Sequence, residues 1–444
     1  DVTVNPTADV IPSPASELIC SGTSTNIVLS TSITGATVTY SWTATLLTGS
    51  ASGFTNGNGS TITETITNTG TIQATVRYTI TPAIGTCTGT PIIVNININP
   101  SGNVVQANNQ VVCNGSNTIA EIFSTTNTDG ATTYTWTNDN TAIGLTASGN
   151  GDVPVFTAIN TGSTPIIATI TVTPTYTNDL ISCVGAPKNF TITVNPTAQV
   201  NPVADQVVCN GSTTTTVIFA TANTGGTTSY TWGNDTPSIG LAASGIEDIA
   251  SFTAVNLGTA PVIATITVTP IFKNGGVDCS GPTKTFTITV NPTAQVNTIA
   301  DQVVCNGSAT TTVTFATANT GGTTSYTWVN DTPSIGLVAS GNGNIASFTA
   351  INNGTSPVIA TITVTPTFNN GSVDCTGAAK TFTLTVNPTA QVNAITSQVV
   401  CNGSATTALT FATVNTGGIT TYNWTNDTPS IGLLVSGTGD IASF

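Results

Sequence analysis

Apolar and polar residues alternate with a period of two through much of the chain. In TFTITV, residues 285–290, Phe286, Ile288 and Val290 fall on one face and threonines on the other. The preceding PVIATITVTP, residues 261–270, repeats the pattern with Val262, Ala264, Ile266 and Val268. Successive side chains of a strand point to opposite faces, so the alternation marks half-buried strands. Further strands are expected at 213–221 (TTTTVIFAT), 229–232 (SYTW) and 249–255 (IASFTAV), separated by the turn-forming stretches NTGG, NDTPS and ASG. No window of helical periodicity competes with them. Short strands in such numbers, with turn signals at close intervals, point to an all-β fold: antiparallel sandwiches of the immunoglobulin type.

The pattern recurs. The hexapeptide VVCNGS starts at Val111, Val207, Val303 and Val399, so Cys113, Cys209, Cys305 and Cys401 stand 96 residues apart, as do Trp136, Trp232, Trp328 and Trp424. Pro100, Pro196, Pro292 and Pro388, in VNPTA and its variants, keep the same step and mark the joints between copies. A divergent earlier copy carries Pro6, Cys20 and Trp42. The chain therefore divides into residues 1–6, ending a preceding module, then modules at 7–100, 101–196, 197–292, 293–388 and an incomplete one at 389–444. A start at Asp1, with no Met anywhere, is expected of a piece excised from a longer protein. The Pro of each joint fixes one dihedral, which favours short, stiff connections.

Each complete module holds a second cysteine, at 87, 183, 279 and 375. The expected bridges are Cys20–Cys87, Cys113–Cys183, Cys209–Cys279 and Cys305–Cys375, each closing one module, with Cys401 pairing beyond the chain end. Loops of that length would stabilise a module by roughly 4 kcal/mol, and the bonds belong to an oxidising, extracytoplasmic compartment. Metal binding is the rival reading. It finds no CxxC and no histidine in the sequence.

Only 5% of the residues are charged, and the net charge is −14. Nothing here neutralises a run of phosphates, so a nucleic-acid partner is excluded. No apolar run of about 18 residues provides a membrane span. The absence of histidine removes the commonest general base, and no enzyme is expected. Recurring acids lie at Asp139, Asp235, Asp331 and Asp427, and again at Asp152, Asp248 and Asp440, with Asn344 in the fourth copy. The first set are candidates for calcium, which wants six to eight oxygens. The competing reading is turn capping of the local backbone. No other cofactor is indicated. Lys188, Lys284 and Lys380 open the last strand, as solvated guards against edge pairing or, alternatively, as partners for an isopeptide bond. NGS at Asn114, Asn210, Asn306 and Asn402 matches the glycosylation pattern but equally makes a tight turn. The aromatics of the third copy are Phe219, Tyr230, Trp232, Phe252, Phe272 and Phe286. Most fall on core-facing positions, and Phe272, beside Lys273 near a strand end, is the one open to exposure.

The CNGS opening, the YTW motif (Tyr134–Trp136; SYTW at 229–232 and 325–328), the late cysteine and the closing TFTITVNP resemble the PKD-like or immunoglobulin-like tandem repeats of giant Bacteroidota surface proteins. The resemblance covers essentially the whole chain. It implies export by a type IX route and a place in a cell-surface adhesin or filament, gliding-motility adhesins included. The expected role is a structural stalk that extends a distal binding region from the cell. Its partners would be neighbouring modules and laterally associating copies. The alternative is an array of modules that bind glycans or proteins, with the divergent first copy as the one equipped to differ.

Overall fold

The computed structural model describes residues 4–444. It is built of strands and short 3-10 turns. The expected end of a preceding module, residues 1–6, lies in part outside the described residues.

The second copy gives the pattern. Its strands are β1 (Gln110–Cys113), β2 (Ala131–Asn138), β3 (Ser148–Asn150), β4 (Ile166–Asn178), β5 (Ile181–Val184) and β6 (Lys188–Asn195). They form one sheet in the order β1-β6-β4-β2-β3, with β5 folded back on β4. The pairs are antiparallel except one: β1 runs parallel to β6, from Gln110 opposite Ile192 to Cys113 opposite Asn195. The alternation read in the sequence sets the faces. Ala168, Ile170, Val172, Phe190, Ile192 and Val194 turn inward and pack against Phe123, Trp136, Ile143, Leu145 and Val153.

The facing layer is less regular than the alternation suggests. Residues 213–221 and 249–255, expected as strands, meet only at the isolated bridges Thr213–Thr253 and Val217–Ile249. Side chains occupy the other ladder positions. Phe252 N–H donates to Thr214 Oγ1 at 3.0 Å and Phe219 N–H to Asp248 Oδ1 at 2.8 Å, and a polar side chain that takes a strand amide interrupts the ladder. The NDTPS stretch forms a 3-10 turn, Pro333–Ile335 in the fourth copy, that returns Ile335 to the core.

The described chain forms two compact units. The first comprises the chain up to Asn201 with Ala220–Tyr230 and Thr269–Thr283; the second comprises Pro202–Phe219, Thr231–Val268 and Lys284–Phe444. In the first unit, the divergent first copy has the same sheet, with Ser16–Cys20 parallel to Ile92–Asn99, and a more regular facing layer that includes Ile11–Ser13, Ile27–Ser30 and Thr61–Ile62. In the second unit, the fourth copy repeats the sheet with Gln302–Cys305, Thr323–Asn330, Ser340–Asn342, Val358–Asn370, Val373–Thr376 and Lys380–Asn387. The fifth copy retains Asn423–Thr425 paired with Ser436–Thr438.

Candidate functional site at the joints between copies

The cysteines correct the sequence reading. The bridges are Cys20–Cys183, Cys113–Cys279 and Cys209–Cys375, with Cα atoms 5.4 to 5.5 Å apart, and each joins one copy to the next. None of the expected bridges, Cys20–Cys87, Cys113–Cys183, Cys209–Cys279 or Cys305–Cys375, is present. The reason is the parallel pairing of the first and last strands. Cys113 lies opposite Asn195, at the far end of β6, and at that end β4 begins with Ile166 opposite Val194. Cys183 lies opposite Tyr176, near the other end of β4. The run of strand from Ile166 to Tyr176 separates these levels, about 33 Å at about 3.3 Å per residue, whereas a disulfide needs Cα atoms within about 7 Å. The two cysteines of one copy thus sit at opposite ends of it, each within reach of a neighbour. Cys87, Cys305 and Cys401 are free and exposed.

Around each bridge the joint is built from residues of the repeat. Where the second copy meets the third, Ala198, Phe272 and Cys279 form a small apolar cluster with Cys113 and Val277. Phe272, which its place near a strand end left open to exposure, is fully buried there. Asn195, of the joint motif VNPTA, is fully buried. Its amide donates to the Asn274 carbonyl at 3.0 Å, and the Asn274 amide donates back to Asn195 Oδ1 at 2.9 Å. A buried amide left unpaired would be costly, so this reciprocal pair fixes the register of the two copies. Gly275, at φ 59, lets the incoming hairpin lie on Val111; a Cβ there would stand 2.9 Å from that side chain. The hexapeptide VVCNGS thus supplies the bridge, its apolar seat and, through Asn114, a clip: its amide donates to Thr197 Oγ1 at 2.8 Å and its Oδ1 accepts Asn160 N–H at 2.7 Å. Asn114 is therefore committed to the turn.

The same set recurs in the second unit. Cys209, Val373, Ala294, Phe368 and Cys375 cluster together, and Asn291 pairs with Asn370 at 3.0 and 2.9 Å. Thr320 N–H and the Asn319 amide both reach the Thr259 carbonyl, at 2.9 and 3.3 Å. The joint of the divergent first copy keeps the counterparts of Asn195 and Asn274 one period earlier and adds Gln73. Asn99 donates to the Asn178 carbonyl at 3.0 Å, and Gln73 contacts Asn99, Asp129 and Asp179. Burial and the Asp129 carboxylate raise the Tyr176 hydroxyl pKa, so that phenol stays a hydrogen-bond donor. Sequence reasoning missed the asparagines of these joints; the signal available was their persistence at every step of the repeat.

The calcium candidates are engaged otherwise. Asp139, Asp235 and Asp331 accept the backbone N–H of Thr169, Thr265 and Thr361 at 2.7 to 2.8 Å, tying the turn after the tryptophan strand to the adjacent strand. Asp427 accepts the Thr428 hydroxyl at 3.0 Å. Asp152, Asp248 and Asp440 accept the amides of Phe123, Phe219 and Phe411. Among the described residues no three His, Cys, Asp or Glu side chains gather as a metal site. Lys188, Lys284 and Lys380 are exposed at the start of the last strand. In the first copy, Tyr40 and Trp42 are buried. Among the described residues no helix is long and apolar enough to cross a membrane.

A family model described as a PKD-like domain matches residues 17–102, within the first copy. No curated protein matches the chain. Among solved structures the chain is similar to mouse cadherin-23 EC22-24, at 13% identity and a TM-score of 0.32, over 65% of this chain and 99% of that one. It is also similar to Drosophila N-cadherin EC1-4, at 12% identity and 0.26, over 84% and 100%. A third is the insect immune protein hemolin, at 11% and 0.21, over 86% and 100%.

Proposed function

We propose that the chain is a segment of a stalk or filament in a large extracellular surface adhesin, holding a distal binding region away from the cell. The observation that carries this reading is the set of covalent bonds joining the first copy to the second, the second to the third and the third to the fourth. Between Cys20 and Cys375 the bridges Cys20–Cys183 and Cys209–Cys375 bypass most of the chain, and only the stretch from Cys183 to Cys209 is left free to extend under tension. At about 3.4 Å per extended residue, that stretch is roughly 90 Å of slack where the reduced chain releases roughly 1,200 Å. A spacer loaded by an anchored cell benefits from that limit; an enzyme does not. Origin in a Bacteroidota cell, with type IX export and attachment at the surface as in gliding adhesins, is part of the proposal and rests on the sequence resemblance.

Single-molecule pulling tests the reading. The oxidised protein should lengthen between Cys20 and Cys375 by no more than roughly 90 Å and the reduced one by more than tenfold as much; equal lengthening would sink the proposal. The stalk role needs no cofactor, so calcium titration followed by calorimetry should give no heat from Asp139, Asp235, Asp331 or Asp427, whose oxygens already accept protein donors.

A further inference from the structure

The outward face of the main sheet carries a pattern of its own. In the fourth copy Thr361, Thr363, Thr365 and Thr367 point outward along Val358–Asn370, alternating with the buried Ile362, Val364 and Pro366. The neighbouring strands continue the rows. Thr327 lies opposite Thr365 and Ser325 opposite Thr367 on one side, and Thr381 lies opposite Thr363 and Thr383 opposite Thr361 on the other. The second copy repeats the grid: Thr133, Thr135 and Thr137 of β2 lie opposite Thr175, Thr173 and Thr171 of β4, and Thr191 of β6 opposite Thr169. In the third, Thr285 lies opposite Thr267 and Thr287 opposite Thr265.

Threonine favours strands and pairs well across them, which accounts for its presence but not for the absence of charge. In the second and fourth copies no outward position of the three strands is Asp, Glu, Lys or Arg. A surface kept for solubility carries roughly 25–35% charged residues; here the acids lie in turns such as those of Asp139 and Asp331. The face is left with one hydroxyl and one methyl at each threonine, and the hydroxyls of Thr327, Thr363, Thr365 and Thr381 bond to nothing else among the described residues.

The spacing of the grid names its partner. Alternate residues of a strand repeat at about 6.7 Å and neighbouring strands stand about 4.8 Å apart, close to the two repeats of oxygen atoms on a prism face of hexagonal ice. Adjacent strands twist by about 20–25°, so such a match holds over two or three strands; the grid is that narrow and is longest along the strand. Charge points the same way. A chain of net charge −14 repels polyanions and other copies of itself, whereas a lattice of water is neutral, takes hydroxyls as members and receives methyls in its hollows. We propose that the outward threonine grids of the second, third and fourth copies bind ice by its prism faces. This inference does not rest on the stalk reading, and pulling on the bridges is indifferent to its outcome.

The whole chain tests it with ice as the only ligand. Ice grown slowly from a dilute solution should take up the protein, where a non-binding protein such as ovalbumin stays in the liquid, and single ice crystals held just below melting should be shaped into facets. T171Y/T267Y/T363Y places one bulky ring on each grid, at an open position and with a residue that favours strands. It should abolish both effects while the circular dichroism spectrum is kept. I119Y/T215Y/T311Y, at exposed positions of the facing layer, should abolish neither. The shaping of crystals by the unmodified chain needs no variant, so it decides even where a substitution unfolds the protein. Exclusion of the unmodified chain from ice, round unshaped crystals, uptake of the grid variant, or loss of uptake in the facing-layer variant would each overturn the proposal.

Discussion

Asp331 accepts the Thr361 amide and the Thr332 hydroxyl, both at 2.8 Å, and Asp235 makes the same pair of bonds one period earlier, to Thr265 and Thr236. Chiefly through the backbone amide, then through the hydroxyl, these bonds hold both carboxyls below the ordinary value of 3.8. A carboxyl whose pKa is lower folded than unfolded stabilises the fold above its unfolded pKa, and that contribution is lost as pH falls through the folded value. The protein should therefore melt at a lower temperature near pH 2 to 3 than at pH 7. The D235N/D331N double variant should show a smaller difference when melting is followed by circular dichroism. An unchanged pH dependence would remove these two aspartates from the account. The acids were legible in the sequence as recurring turn residues. Their partner was not, because the amide each binds belongs to a neighbouring strand well removed along the chain.

At the scale of the element, the tryptophan strand depends on a glycine across the ladder. Trp328 pairs with Gly341, and a Cβ at Gly341 would stand 2.3 Å from the indole ring. Alanine there forces the ring off its seat in a packed core, and overpacking of this kind costs typically about 1–3 kcal/mol. G341A should lower the urea midpoint accordingly. G233A, on a strand where a Cβ meets nothing within 4 Å, should leave it unchanged. The alternation in the sequence placed the strands of the main sheet, since burial of one face enforces the period of two. It overstated the facing layer, because Thr214 and Asp248 compete for backbone amides with side-chain oxygens, and composition alone does not reveal which amides they reach.

At the scale of the whole chain, the bridges close loops of 163 and 166 residues. Chain entropy assigns each about 5 kcal/mol, and that stabilisation is shared by two copies. Unfolding of neighbours is therefore coupled. Non-reducing peptide mapping should recover Cys20–Cys183, Cys113–Cys279 and Cys209–Cys375. C209S/C375S should lower the thermal midpoint of the third and fourth copies together; an effect confined to one copy would contradict the coupling.

The sequence by itself determined the all-β character, the period of 96, the inward face of each main-sheet strand and the presence of paired cysteines. Each follows from local spacing, which survives without knowledge of contacts. Only the tertiary structure decided which cysteines meet, that Phe272 is buried in a joint, and that Asn195 and Asn274 hold two copies in register. Those outcomes depend on which end of a sheet a residue occupies. That in turn depends on the parallel pairing of the first and last strands, a contact between the two ends of a copy that no short-range pattern encodes.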